Sequence, residues 1–172
     1  TTDLIRFNAE AFARLEETHI GSATLPSSFF HEQETIIMTD TITRELIPED
    51  RRMSHTERLF GLHFPLLLEP FIYAATEKMS AEYHGGYWQF YTLNNGGFYM
   101  ALDSDQTFHV CCANCYEGDL SADALGIVAC LTAYSHLSFS RDIAFARVCA
   151  EHYHRLRDFM FEHLEARAIL GA

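Results

Sequence analysis

The stretch YHGGYWQFYTLNNGGFYMAL, residues 83 to 102, constrains the fold more than any other part of the chain. Seven of its twenty residues are aromatic, and Gly-Gly pairs punctuate it at 85–86 and 96–97. Asn95-Gly96 is a favoured two-residue hairpin turn, because both positions tolerate positive φ. Pairing across that turn sets Leu93 opposite Phe98, Tyr91 opposite Met100 and Gln89 opposite Leu102 on one side. Thr92 opposite Tyr99, Phe90 opposite Ala101, and Trp88 fall on the other side. Both faces are then largely apolar. A sheet of that kind must be covered on both faces, or keep one for a partner. The glycine pairs serve as backbone devices: Gly85-Gly86 lets the chain leave a helix and enter the strand, and Gly96-Gly97 makes the turn. The aromatics are mainly core, with Trp88, Phe90 and Tyr99 as the candidate interaction surface, since aromatics central to a patch often anchor partners.

The flanking segments supply the cover. Thr and Ile predict a short strand over 41–47. Pro48, Glu49 and Asp50 open a helix that runs to Phe60, where Gly61 stops it. A second helix is predicted from Pro65 to Ser80, its regular part starting near Glu69 because of Pro70. After the hairpin and the turn DSDQ, TFHVCCA at 107–113 is predicted as a third strand of the same antiparallel meander. Asp119 or Ser121 can cap ADALGIVACLTAYSHL, which is apolar almost all round and therefore predicts a buried central helix. Ser140 can cap a last helix with the stripe Ile143, Ala146, Cys149, Tyr153, Leu156, Met160 and Leu164, and with Glu151 and Arg155 spaced for an i,i+4 pair. The fold class is α+β: a small antiparallel sheet, a three- or four-stranded meander, packed with several α-helices in a single domain.

Ahead of this unit, residues 3–17 have the spacing of an amphipathic helix and 18–37 read as a linker broken by GSATLPSS. Met38 begins MTDTITREL, so residues 1–37 are expected to be an accessory extension and 38–172 the functional domain.

Formal net charge is −12, with a single lysine, Lys78. Without residues 1–37 the balance is still −8, from 18 acidic and 10 basic residues. Such a chain lacks the cationic footprint of nucleic-acid binding and is repelled by anionic lipid. Nor do the acids imitate DNA, which carries a charge about every 1.7 Å of axis; the tightest clusters here are the pairs Glu16-Glu17 and Glu49-Asp50. The longest apolar run, ALGIVACLTAY, is short of the roughly 20 residues a bilayer span takes. Five cysteines, an odd number, and no charged-then-apolar leader predict a reduced cytoplasmic protein.

HVCCANC carries the most suggestive chemistry. Cys112 and Cys115 have the C-x₂-C spacing of a zinc pair, with His109 and Cys111 beside them. No second pair follows, and His152 and His154 could complete four ligands only through folding. Buried structural cysteines are the commoner case, so neither metal nor cofactor is assigned. A thiol nucleophile needs a histidine that nothing local identifies. There is no G-x-S-x-G elbow, no phosphate loop and no dinucleotide fingerprint. No catalytic residue is assigned.

Three segments carry a resemblance: HGGYWQFYTLNNGGFYMAL, then NCYEGDLSADALGIVACLTAYSHLSF, then HYHRLRDF with the following HLEARAI. Together they resemble the ArdB/KlcA antirestriction proteins, encoded on plasmids and genomic islands, over roughly residues 48–172. The resemblance implies relief of restriction of incoming unmodified DNA by type I restriction-modification enzymes, direct or indirect, by a family distinct from DNA mimics. It supplies no catalytic residues and no oligomeric state. The expectation is a non-enzymatic inhibitor acting through protein contacts. The alternatives are a thiol- or metal-dependent enzyme, or a direct DNA-binding protein.

Overall fold

The computed structural model describes residues 41–172; the helix expected over 3–17 and the linker over 18–37 lie outside the described residues. In chain order the elements are β1 (Arg44–Leu46), α1 (Glu49–Phe60), a π-helical turn (Phe64–Leu68) that runs directly into α2 (Glu69–Met79), β2 (Trp88–Leu93) and β3 (Phe98–Leu102). They are followed by β4 (Thr107–Cys111), β5 (Glu117–Ser121), α3 (Ala122–Leu137), α4 (Ile143–Met160) and α5 (Ala166–Gly171). The class is α+β, as expected, but the strands divide between two antiparallel sheets. One has the order β1-β2-β3 and the other is the hairpin β4-β5. The strand expected over 107–113 thus does not extend the meander; it pairs with 117–121, and the sheet's third strand is β1. EGDLS carries Gly and two acids, which masks its strand character.

The hairpin turn has one residue more than expected. Leu93 N–H donates to Gly97 O at 2.9 Å and Gly96 N–H donates to Leu93 O at 2.8 Å. Asn94, Asn95 and Gly96 form the loop, with Gly96 at φ 82, the left-handed position that a three-residue turn requires. Register shifts by one, so Phe90 faces Met100, Tyr91 faces Tyr99 and Thr92 faces Phe98. A shift of one exchanges the faces of β3 relative to β2. Trp88 and Phe90 therefore lie with Phe98, Met100 and Leu102 under α1 and α2. Phe60 meets Phe98 edge-on at 5.6 Å, Phe64 meets Phe90 at 5.6 Å, and Tyr73 meets Trp88 at 5.3 Å. On the opposite face Tyr91 stacks on Tyr99 at 4.9 Å, with Phe159 of α4 beyond it at 5.6 Å. Every residue of β3 is buried, so both apolar faces are covered.

The outer edge of β3 is closed by α3. Gly126, Cys130 and Tyr134, one helical stripe, run along the strand. A Cβ on Gly126 would stand 2.6 Å from the Ala101 backbone and from Met100 O. Met100 N–H donates to Cys130 Sγ at 3.4 Å, and Tyr134 hydroxyl donates to Phe98 O at 3.0 Å. The helix thus satisfies edge groups that would otherwise invite another strand. Ten of its sixteen residues are buried, which makes it the central helix the sequence predicts.

Helix boundaries follow local chemistry. Glu69 N–H reaches five residues back to Phe64 O. Pro70 has no N–H to donate, and the turn before it widens. Ser121 caps α3, accepting from Ala124 N–H at 3.2 Å. Asp142 rather than Ser140 caps α4, its carboxylate accepting from Ala144 and Phe145 N–H at 3.0 and 3.1 Å. The buried stripe of α4 is Phe145, Cys149, His152, Leu156, Phe159 and Met160; Ile143 and Leu164 of the expected stripe are exposed. Among the described residues no single helix is long and apolar enough to cross a membrane.

Candidate functional site

Trp88, Phe90 and Tyr99 do not form a surface. They are 4%, 8% and 0% exposed, because the sheet is covered on both sides. Trp88 sits below a shallow depression lined by Tyr73, Glu77, Tyr83, His84 and Gly85 and donates its indole N–H to Tyr83 hydroxyl at 3.2 Å.

Tyr99 belongs to a polar cluster that the sequence scatters over 120 residues. Asp123 stands in the first turn of α3, where the helix dipole favours an anion. Its Oδ2 takes Arg44 Nη1 at 2.5 Å and His163 Nε2 at 3.1 Å, and its Oδ1 accepts from Tyr99 hydroxyl at 3.1 Å. Arg44 also donates to that hydroxyl and lies over the Tyr91 ring, 4.7 Å from its centroid. His163 Nδ1 accepts from Glu165 N–H at 3.0 Å, which leaves the Nε2 proton facing Asp123. Glu165 in turn holds Ser121 by both its hydroxyl and its backbone N–H.

Burial pushes the Asp123 carboxyl up, but the bonds from His163, Arg44 and Tyr99 outweigh it and hold the group below the usual carboxylate range. Burial, then the Asp123 charge, push the Tyr99 phenol up. A carboxylate with three donors and a depressed pKa is a poor proton acceptor near neutrality. The cluster acts as an electrostatic tie between β1, β3, α3 and the segment after α4.

A second grouping is apolar and exposed. His63 Nε2 meets Asp142 Oδ2 at 3.1 Å, and the His63 ring stacks on Phe145 at 4.3 Å. That contact brings the α1–α2 connection to the α3–α4 connection. Near these residues along the chain are Leu62, Leu66, Phe139 and Ile143, which are 75%, 68%, 81% and 75% exposed. Hydrogen bonding of Phe145 N–H to Asp142, and then the nearby His63, keep the Asp142 carboxyl low. Sequence reasoning missed this patch because it assigned Ile143 to the buried stripe. The available signal was the run GLHFPLLLEP, apolar where a helix must break.

The cysteines part company. Cys130 and Cys149 are buried, and burial pushes both thiols up to about 12. Cys112 is half-buried and Cys115 exposed in the β4–β5 turn, where Cys115 takes φ 71. His109 and Cys111 project from the solvent face of β4 toward Asp119 and Glu117. His152 stays apart from them, its ring 4.8 Å from Phe60 and 5.6 Å from Tyr134 in the core, and His154 is exposed on α4.

A family model described as antirestriction protein matches residues 81–172. Two Escherichia coli proteins named antirestriction protein KlcA are similar. One is 43% identical over 130 residues, covering 73% of this chain and 89% of that protein; the other is 37% identical over 135 residues, covering 76% and 94%. The YafX protein of Escherichia coli K12 is 40% identical over 129 residues, covering 72% and 82%. A solved structure aligns with a TM-score of 0.67 and 37% identity, covering 74% of this chain and 92% of its own. It comes from work on the KlcA and ArdB proteins, described as having a novel fold and antirestriction activity against type I DNA restriction systems in vivo but not in vitro. With the family model covering more than half of its length and these identities extending over about three quarters of it, this chain belongs to the antirestriction protein family.

Proposed function

We propose that this protein relieves restriction of unmodified incoming DNA by type I restriction-modification systems, acting in the cytoplasm as a non-enzymatic inhibitor through protein contacts. The observation that carries this is family membership with high coverage by proteins named for that activity. Three features support the non-enzymatic part. Asp123, a half-buried carboxylate of the cluster, already accepts from three donors. The buried thiols are held protonated. One exposed feature, Leu62, Leu66, Phe139 and Ile143, is apolar, and apolar exposure is the usual character of a contact surface. The charge pattern supports contact with protein over imitation of DNA. Asp123, Asp142, Glu151, Glu117 and Asp119 each meet an arginine or histidine and so are not free anions. Activity of the structural relative in vivo but not in vitro favours a contact that needs the cell, either a host component or the restriction enzyme in its working state. Residues 38–172 carry the function in this proposal, and 1–37 are accessory.

The test is plating of unmodified phage on cells with an active type I system, with and without the chain, alongside a pull-down from the same cells. Relief by the wild-type protein, lost in Leu66→Asp/Phe139→Asp while circular dichroism stays native, supports contact through the patch. No relief by the wild-type chain would sink the antirestriction function itself. Full relief by the double variant would move the contact elsewhere.

A further inference from the structure

The β4–β5 hairpin carries four potential metal ligands that the pleat gathers into a square. His109 and Cys111 are two apart on β4 and share a face. Their direct partners across the ladder are Asp119 and Glu117. The other face, through Phe108, Val110 and Leu120, is anchored in the core. Ligand positions are therefore set by strand register, and only side-chain rotation is left free.

The atoms are already close to a coordination geometry. His109 Nε2 lies 3.3 Å from Glu117 Oε1 and 3.9 Å from Cys111 Sγ, and the three donors all fall within 4.8 Å of one another. Tetrahedral zinc, with bonds of about 2.0–2.3 Å, holds its donors about 3.3–3.8 Å apart. Asp119 supplies the supporting carboxylate: its Oδ1 is 2.9 Å from His109 Nδ1. A carboxylate there fixes the imidazole proton on Nδ1 and turns the Nε2 lone pair toward a metal. A further carboxylate, Glu82, accepts from the His109 backbone N–H at 2.9 Å. The ion pairs of Glu117 and Asp119 among the described residues are with His109, so no arginine or lysine occupies the face.

We propose that His109, Cys111 and Glu117 form a zinc site with Asp119 orienting His109 and the fourth position open to water or to a ligand from a partner. Zinc accepts mixed nitrogen, sulfur and carboxylate donors, whereas magnesium and calcium select oxygen alone. Binding displaces the Cys111 thiol proton to solvent, and no redox step is involved. The C-x₂-C pair takes no part. Cys112 follows the end of β4 and is half-buried, and Cys115 lies in the turn.

The experiment uses the full chain, reduced and stripped of metal, titrated with Zn²⁺ against a chromogenic chelator and separately with Co²⁺. One ion per chain is expected, with a thiolate-to-cobalt charge-transfer band and the d–d intensity of a four-coordinate site. His109→Gln, Cys111→Ser and Glu117→Gln should each weaken zinc at least about tenfold. Asp119→Asn should weaken it about 10–100-fold while the charge-transfer band remains. Cys115→Ser should bind as wild type. All five side chains are exposed, so each variant should keep the native circular dichroism spectrum. Absence of the charge-transfer band would overturn the site. So would binding that survives His109→Gln and Cys111→Ser but is lost in Cys115→Ser.

Discussion

His152 shows how one buried side chain sets a solution property. It is 2% exposed, packed against Phe60 and Tyr134, and its Nδ1 has no hydrogen-bond partner among the described residues. Burial, then Arg155 and His55, bring its pKa down from 6.5 to about 4. The folded value is below the unfolded one, so protonation favours the unfolded chain. The stability this neutral ring contributes is complete above pH 6.5 and is lost as pH falls from there toward 4, by about 1.4 kcal/mol per pH unit. Urea unfolding at pH 7 and pH 5 should show that loss in the wild type and a flatter dependence in His152→Phe. An equal slope in the two proteins would exclude His152 as its source. Histidine 152 is legible in the sequence only as a possible ligand. Its burial follows from the phase of α4, which the pattern Ile143/Ala146/Cys149/Tyr153 misplaces because Phe145 and Phe159 outweigh Ile143 in the core.

Between elements, α3 lies close on β3. Glycine at 126 brings the helix backbone onto Ala101, and Cys130 and Tyr134 then reach the strand's edge groups. Gly126→Ala gains about 1 kcal/mol of helix propensity. Its Cβ, however, would stand 2.6 Å from backbone atoms that cannot rotate away. Overpacking of this kind destabilises by about 1–3 kcal/mol or more, so the net change should be destabilising. A lowered urea midpoint checks it; a rise would mean that helix and strand can separate freely. The sequence makes α3 plain as a central helix, since it is apolar all round. It does not reveal the strand that α3 lies on, because an all-apolar helix has no face to orient by.

Across the whole molecule, Arg44, Tyr99, Asp123 and His163 join the first described strand, the sheet, the central helix and the closing segment through one carboxylate. Removing Asp123 strands three donors at once. Asp123→Ala should cost about 2–3 kcal/mol, while Arg44→Ala, with a side chain 40% exposed to screening solvent, should cost nearer 1 kcal/mol. A double-mutant cycle in urea should give a coupling above about 0.5 kcal/mol, and additivity would mean that the tie is spread elsewhere. These residues carry no signal in the chain, because 79 positions separate Arg44 from Asp123. Local chemistry is another matter. Pro48 and Gly61 bound α1, Pro70 marks the widened turn, and two apolar faces on the ribbon require the two-sided cover observed. Such features depend on neighbouring atoms and period, which sequence alone determines. Register, strand partners, helix phase and the gathering of distant charges were decided by tertiary packing. A single left-handed glycine in the turn exchanges the faces of β3, and only the competition of whole faces for one core selects among such alternatives.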